Sequence, residues 1–227
     1  MAVALAKREL PAAASRGEDT RQRLIEAALK IFGDAGFEGA STRMLADAAG
    51  ANLAAIPYHF GSKEGLYRAA AEFVVENCGR EILPTVDRIN LALGGKKLSR
   101  GDAITLLHQL LERFSAIVVG SEFSDRFAGF VMREQLQPGA AFEILYDGLM
   151  SKVMDACRKL LAIALSRPAD DTKILIRAQT LLGQILVFRT SRACVFRQLG
   201  WREISPEQLK LIHSIVAENI DRILASK

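Results

Sequence analysis

Residues 41–66 read STRMLADAAGANLAAIPYHFGSKEGL, the pattern of two short helices joined by a glycine turn. Ser41 is a good N-cap residue because its hydroxyl can accept a hydrogen bond from a free N–H group of the first helical turn. Gly50 can adopt the left-handed conformation that ends a helix without steric cost, and Asn52 can cap the helix that follows. This stretch therefore predicts a helix-turn-helix.

Apolar residues recur at helical spacing on both sides of this stretch, and no sustained alternation of period two is present. One helix is predicted from Thr20 to about Gly36, and another begins after Ser62. The other predicted helices begin after Ser99 or lie at roughly 123–136, 140–165, 171–192 and 205–225. Ser205, Pro206 and Gln208 form a capping box. The predicted fold is all-α, a three-helix N-terminal head followed by a larger C-terminal helical bundle.

The domain boundaries are predicted from turn residues and from the loss of helical periodicity. Residues 1–18 are interpreted as a flexible arm, and residues 19–66 as the helix-turn-helix domain, with a head that extends to about residue 80. Pro84, Gly94 and Gly95 predict a connecting region. Residues 81–227 then form the second domain.

Composition narrows the class of protein. The chain has 227 residues, of which 50% are hydrophobic and 25% charged, as in an ordinary globular protein. No run approaches the roughly 18 apolar residues of a membrane span, and the first residues do not resemble a secretory signal. Three widely spaced cysteines predict a reduced, cytoplasmic protein without a disulfide framework or a metal knuckle.

The charge of the chain suits a polyanionic partner but does not demand one. The net charge is +4 and the sequence pI is about 9.1. Residues 1–80 contain ten basic and ten acidic side chains, so the positive excess lies in residues 81–227. Bulk charge alone does not identify the function.

The helix-turn-helix itself predicts contacts with duplex DNA, with the second helix in the major groove. Ala54 and Ala55 are small enough for a close approach to base edges, and Tyr58 and His59 are donors suited to the backbone. A lysine in the first turn of a helix opposes the helix dipole, which favours a phosphate near Lys63. The predicted DNA-contacting residues are Thr42, Arg43, Asn52, Leu53, Ala54, Ala55, Pro57, Tyr58, His59 and Lys63.

Two features of this motif leave alternatives open. If Asn52 is the N-cap, Pro57 lies one turn inside the helix, removes a hydrogen bond toward Leu53 and predicts a kink. Leu53, Ile56 and Phe60 are expected on the buried side. A pair of helices around a glycine turn also occurs as a simple αα-corner, and His59 also fits a structural surface histidine.

The segment from Thr20 to about Phe73 resembles the TetR family of bacterial transcriptional regulators. The likeness is carried by the alanine-rich first helix, by Ala-Gly at 49–50 and by YHFGSKEGL at 58–66. The family pattern has Ser after the turn and Gly at the second helical position, where this chain has Asn52 and Ala54. The resemblance implies a DNA-binding head and a divergent effector domain.

A fainter likeness covers the second domain. REQLQP at 133–138, GQILVFR at 183–189 and LGW at 199–201 resemble the C-terminal domain of the CecR-like subgroup. This resemblance implies a ligand-responsive, dimerising helical domain and leaves the effector unspecified.

The second domain offers candidates for an effector pocket and a dimer interface. Aromatic and polar side chains between bundle helices suit a small-molecule site, and the predicted pocket residues are Phe127, Phe130, Arg133, Tyr146, Gln184 and Phe188. The alternatives are plain core for the aromatic residues and an ion pair between Arg133 and Glu134. Two full apolar stripes near the C-terminus predict a dimer interface of Leu175, Leu182, Ile212, Val216 and Ile220, with a monomeric core as the alternative.

Enzyme motifs are absent from the sequence: there is no nucleophile elbow, phosphate-binding glycine loop or zinc-protease motif. We therefore predict no catalytic residue, metal or cofactor. The predicted function is a homodimeric repressor that binds a pseudo-palindromic double-stranded DNA operator, responds to an unknown small-molecule effector and has no membrane partner. The alternative is a helical ligand-binding or catalytic protein whose head does not bind DNA.

Overall fold

A computed structural model describes the backbone of residues 12–95, 97–120 and 122–225, with side chains described for 17–95, 97–120 and 125–225. The helices in these ranges are α1 (Ala12–Gly39), α2 (Thr42–Ala48), α3 (Ala55–Phe60), α4 (Lys63–Gly94), α5 (Arg100–Gly120), α6 (Glu122–Leu136), α7 (Phe142–Leu145), α8 (Ser151–Leu165), α9 (Thr172–Thr190), α10 (Arg192–Leu199) and α11 (Pro206–Ala225). A π-helical turn, Tyr146–Met150, joins α7 to α8. The described ranges contain no strand, and the all-α prediction is confirmed.

Side-chain caps set several helix starts, as the sequence predicts. The Ser41 hydroxyl accepts a hydrogen bond from the Met44 N–H at 3.1 Å, and the Ser62 hydroxyl accepts one from the Gly65 N–H at 3.0 Å. At α11 the capping box is complete, because the Ser205 N–H donates to the Gln208 side chain at 2.7 Å and the Gln208 N–H donates back to the Ser205 hydroxyl.

Several predicted boundaries are wrong. Residues 12–18 belong to α1 rather than to a flexible arm, while residues 1–11 of that arm lie outside the described part. Pro84 does not begin a connecting region, because α4 continues through it to Gly94. The break predicted at Gly94 and Gly95 is confirmed, since α4 ends at Gly94 and α5 begins at Arg100 after a Ser99 cap. A proline inside a helix costs about 3 kcal/mol, and here the burial of Ile82 and Val86 on either side of it offsets that cost. The sequence reading also missed α10.

Two hydrophobic clusters organise the molecule, and α4 runs through both. The head core contains side chains of α1, α2, α3 and the first half of α4. Side chains of α6 and α7 complete it, among them Phe127, Phe130 and Leu145. The body core joins the second half of α4 to α5, α8, α9 and α11. Residues predicted to belong to the second domain thus complete the core of the head.

Helix α5 is central to the body, where it packs against α4, α8, α9 and α11. Within the described residues it is the one helix long and apolar enough to cross a bilayer by length and composition. Core helices of helical bundles have the same composition.

Candidate nucleic-acid interface

The turn between α2 and α3 is built by Gly50 and Asn52. Gly50 has a φ of 57°, the left-handed conformation that a glycine adopts without a Cβ penalty. The Asn52 side-chain oxygen accepts a hydrogen bond from the Ala54 N–H at 2.9 Å, and its carbonyl accepts one from the Ala55 N–H at 2.8 Å. Asn52 thus caps a turn that precedes the helix, and α3 itself begins at Ala55.

The predicted kink at Pro57 is therefore wrong. Pro57 is the third residue of α3, where an N–H group would have no intrahelical acceptor in any case. The next amide is satisfied, because the Tyr58 N–H donates to the Ala54 carbonyl at 3.2 Å. The proline is compatible with a straight short helix, and its ring forms part of the exposed face.

One face of the turn and α3 is open to solvent. Tyr58 is 83% exposed and Leu53 is 51% exposed, so the prediction that Leu53 is buried is wrong. Ile56 is buried as predicted, and Ala55 and Phe60 are half-buried against the head core. The predicted contact residues that are exposed are Arg43, Asn52, Leu53, Ala54, Pro57 and Tyr58, and His59 is half-buried.

An open groove lies where this face meets the starts of α2 and α4. Its volume is about 590 Å³, and its lining includes Thr42 from α2, Leu53 and Pro57 from the α3 region, and Ser62 from the α4 cap. The structure thus brings most of the predicted contact residues onto one surface. We call this surface the α3 face, and it consists of Thr42, Arg43, Asn52, Leu53, Ala54, Pro57 and Tyr58.

Lys63 has different partners from those predicted. Its ammonium donates hydrogen bonds to the carbonyls of Phe37 at 2.9 Å and Ala40 at 3.0 Å, and it lies 4.2 Å from the centre of the Phe37 ring. The partial negative charges of these carbonyl oxygens favour a lysine at a helix start, where the helix dipole alone would oppose it. In the structure Lys63 ties α4 to the end of α1, and its contact with a phosphate stays a prediction.

Two arginines on α1 support the motif, and the sequence reading missed both. The Arg23 guanidinium donates hydrogen bonds to the carbonyls of Ala49 at 3.0 Å and Gly50 at 3.3 Å. These bonds connect α1 to the turn and stabilise it. The Arg21 guanidinium lies 5.5 Å from the Phe60 ring centre. No local pattern could have revealed these contacts, since each joins residues that are far apart in sequence.

The predicted effector residues do not form one pocket. Phe127 and Phe130 belong to the head core, where Phe130 packs edge-on against Tyr67. Tyr146 is exposed and stacks on Phe142. The other three are separated: Arg133 lies against Gly36, Gln184 accepts a hydrogen bond from Asn219 at 3.1 Å, and Phe188 packs on the body core.

Glu134 is the buried polar residue of this region, with 1% exposure. Its carboxylate accepts hydrogen bonds from the Tyr67 hydroxyl and, at 3.1 Å, from the Gly139 N–H. Burial and the neighbouring carboxylate both raise the pKa of Tyr67, so the phenol remains a donor. An ion pair between Arg133 and Glu134 was one alternative left open by the sequence, and in the structure the Glu134 carboxylate pairs with Tyr67 instead.

Helices α1 and α6 approach each other most closely at two glycines. A Cβ atom on Gly33 would lie 2.9 Å from the Phe130 nitrogen and 3.0 Å from the Gly129 carbonyl carbon, both backbone atoms. Nearby, the Arg126 guanidinium pairs with Glu26 of α1 at 2.7 Å. The Gly33–Gly129 crossing and the Tyr67–Glu134 contact form the head–body joint.

The predicted dimer interface is on the wrong helical face. Leu182, Ile212, Val216 and Ile220 are only 5%, 3%, 7% and 1% exposed and belong to the body core. Leu175 alone of the predicted set is exposed. The full apolar stripes serve the core, and the opposite sides of α9 and α11 form what we call the outer face, which consists of Ile176, Gly183, Val187, Leu211 and Ile215.

Comparisons with known proteins agree with this architecture. Residues 24–70 match the family described as bacterial regulatory proteins, tetR family. Residues 103–226 match the C-terminal domain of the HTH-type transcriptional dual regulator CecR. The fold and the site define a helix-turn-helix transcriptional regulator, and the chain belongs to the TetR family.

Its second domain is of the CecR type, as the sequence resemblance predicts. The chain is similar to the HTH-type transcriptional dual regulator CecR of Shigella flexneri, with 31% identity over 214 residues that cover 94% of this chain and 95% of the relative. It is also similar to the HTH-type transcriptional repressor AcnR of Corynebacterium glutamicum, with 42% identity over 60 residues, 26% of this chain and 32% of that protein.

The fold also resembles that of AibR in a crystal structure with isovaleryl coenzyme A and operator DNA. The TM-score is 0.60 at 16% identity, and the match covers 87% of this chain and 96% of AibR. At this identity the similarity concerns the fold alone.

Proposed function

We propose that this regulator binds a pseudo-palindromic operator as a homodimer through its two α3 faces and releases it when a small molecule binds the body. The observation that carries the proposal is the exposed α3 face. A surface with a solvent-exposed tyrosine, leucine and proline next to a groove is suited to contact with a major-groove wall and the adjoining backbone.

The residues of this face divide into two groups by chemistry. Ala54 and Leu53 present small or apolar groups, which suit base edges and thymine methyl groups. Thr42, Arg43 and Tyr58 present donors at the periphery, which suit phosphates. Arg43 is paired only loosely with Asp47 at 3.9 Å, and its side chain is 87% exposed, so it is available to an anion.

The outer face supports the proposal of a homodimer. Exposed isoleucine, valine and leucine side chains lie on two adjacent helices, and Gly183 has open space where a Cβ atom would project. Small residues of this kind permit the close approach of a second helix. Two copies joined through α9 and α11 would form a four-helix interface. We propose that this dimer presents both heads to one face of the DNA, with operator half-sites whose centres are about 34–36 Å apart or a multiple of that distance.

The head–body joint supports the proposal of ligand control. Because the first half of α4 lies in the head core and its second half in the body core, a shift of α4 or α6 would change the position of the head. Effector control requires only that the effector prefer one of the two arrangements, with a typical coupling of about 1–3 kcal/mol.

The experiment is a band-shift titration of the full chain against DNA from upstream of its own gene. A salt-sensitive, sequence-selective complex at nanomolar to micromolar protein is expected. Tyr58→Glu places a carboxylate on the α3 face and should abolish the complex. Tyr146→Glu is the matched control at an exposed tyrosine of the body and should preserve it. Absence of a selective complex would favour a helical ligand-binding protein whose head does not bind DNA.

A further inference from the structure

A second cavity lies in the body between α5 and α11, and none of the six predicted effector residues lines it. Its volume is about 390 Å³, within the range of about 300–1,000 Å³ typical of small-molecule sites and near its lower end. The floor is apolar and is formed by Leu111, Val216 and Ile220. The size of the cavity therefore favours a small ligand with an apolar part.

The wall of this cavity contains a polar atom without a partner. The His213 Nε2 atom is buried and, in the described part of the protein, has no hydrogen-bond partner. Leaving such an atom unpaired is unfavourable, because it has given up its hydrogen bond to water. Burial lowers the pKa of His213, and Glu112 opposes this effect, so the ring is neutral at pH 7 and recognises a ligand by a hydrogen bond.

Two opposite charges stand at the rim. Glu112 and Lys210 both line the cavity, and among the described residues neither forms an ion pair. Hydrogen bonds from the Glu207 N–H and the Ser205 hydroxyl are the main causes that lower the pKa of the Glu207 carboxyl, and Lys210 adds a smaller effect without being bonded to it. A ligand with a single charge would attract one rim residue and repel the other, whereas a zwitterion would be attracted by both.

We propose that the α5–α11 cavity binds a small zwitterion of the α-amino acid class with an apolar side chain. In this arrangement the ammonium group faces Glu112, the carboxylate faces Lys210, and the side chain covers the Leu111 and Ile220 floor. The His213 imidazole satisfies its hydrogen bond with a polar group of the ligand.

This inference rests on the proposed function, because it identifies the effector of that regulator. The position of the cavity supports the connection. A ligand bound between α5 and α11 would contact both helices. Helix α11 carries part of the outer face, the proposed dimer interface, and α5 packs against α4, which reaches the head.

The test is a thermal-shift screen of the full chain with the standard L-amino acids, followed by calorimetric titration of each compound that raises Tm. For leucine, the matched probes are 4-methylpentanoic acid, which lacks the amine, and 3-methylbutylamine, which lacks the carboxylate. An apolar amino acid should raise Tm by several degrees at about 100 times its Kd. The single-charge analogue of the amino acid that binds should not.

Variants locate the site. Glu112→Gln and Lys210→Met should each weaken binding by at least about tenfold, since each removes a charged partner. Lys152→Met, at an exposed lysine of α8, is the matched control and should leave Kd unchanged. His213→Leu should abolish binding while Tm of the free protein stays constant or rises. If His213→Leu fails to fold, Ala217→Leu narrows the cavity and serves in its place.

The outcomes separate the two proposals when the same preparations are also tested for DNA binding. Selective DNA binding without a response to any amino acid would overturn the cavity proposal alone. Binding of an amino acid that survives the Glu112, Lys210 and His213 changes would overturn it as well. If the unaltered protein binds an amino acid but no DNA, the proposed function is overturned and the cavity remains a binding site.

Discussion

The role of Lys63 offers the sharpest test of the structure, because a tie to α1 and a contact with phosphate predict different results for Lys63→Met. The ammonium makes two charge-assisted hydrogen bonds, to the Phe37 and Ala40 carbonyls, and one contact with the Phe37 ring. Bonds to charged groups contribute about 1.5–3 kcal/mol each when well shielded. Because Lys63 is half-buried, we expect a total loss of about 2 kcal/mol, after a reduction for solvent screening.

The loss should be visible in thermal unfolding followed by circular dichroism. For a protein of this size, 1 kcal/mol corresponds to about 2–4 °C, so Lys63→Met should lower Tm by roughly 4–8 °C. Binding to operator DNA is measured by fluorescence anisotropy from about 50 to 200 mM salt. Well below the lowered Tm, the slope of log K against log salt should equal that of the unaltered protein, because no phosphate contact is lost.

Arg43→Met is the matched control, since the Arg43 side chain is 87% exposed and is proposed to contact phosphate. It should reduce the magnitude of the salt slope by about 1 and change the free energy of unfolding by no more than about 0.5 kcal/mol. A Lys63→Met protein with unchanged Tm and a slope reduced by about 1 would refute the reasoning and restore Lys63 as a phosphate donor.

Five further changes test other parts of the structure. Ala54→Asn should alter the preferred base at one operator position in selections from random DNA, and a uniform loss across sequences would place Ala54 away from the bases. Ile215→Glu should give folded monomers in sedimentation velocity, while Leu182→Glu should lose helical signal; a dimer in the first or a folded protein in the second contradicts the assignment of faces. Glu134→Leu removes the acceptor of both hydrogen bonds and leaves the Tyr67 hydroxyl and the Gly139 N–H without it, so unfolding by denaturant should show a loss of about 1–3 kcal/mol. Gly33→Val should lower stability by at least about 1–3 kcal/mol in the same assay because its Cβ would meet backbone, and an unchanged midpoint would contradict the close crossing of α1 and α6.

The starts of several helices could be predicted because their causes are local. The Ser41, Ser62 and Ser205 hydroxyls each accept a hydrogen bond from an amide three residues ahead, which the sequence spacing already specifies. The start of α3 was misplaced for a related reason. Asn52 does cap, but it caps a turn that precedes the helix, and this changes the position of Pro57 from an interior site to the first helical turn.

Long-range contacts could not be predicted in the same way. A stripe such as Leu182 and Ile185 shows that one face of α9 is apolar but not whether a second copy or the same chain covers it. The same limitation applies to Phe127 and Phe130, whose spacing fits a ligand pocket and a core equally well. Only their position against α1 and α4 assigns them to the head core.

The sequence by itself determined the helical class, the helix-turn-helix and the family, because these depend on periodicity, caps and a turn within a few tens of residues. The tertiary structure decided which side of each helix faces solvent and which atoms meet across it. Lys63 ties α4 to α1, Glu134 joins Tyr67, and His213 lines a cavity between α5 and α11. The physical reason is that burial and hydrogen-bond partners depend on distances between helices, and these distances are set by the packing of the whole chain.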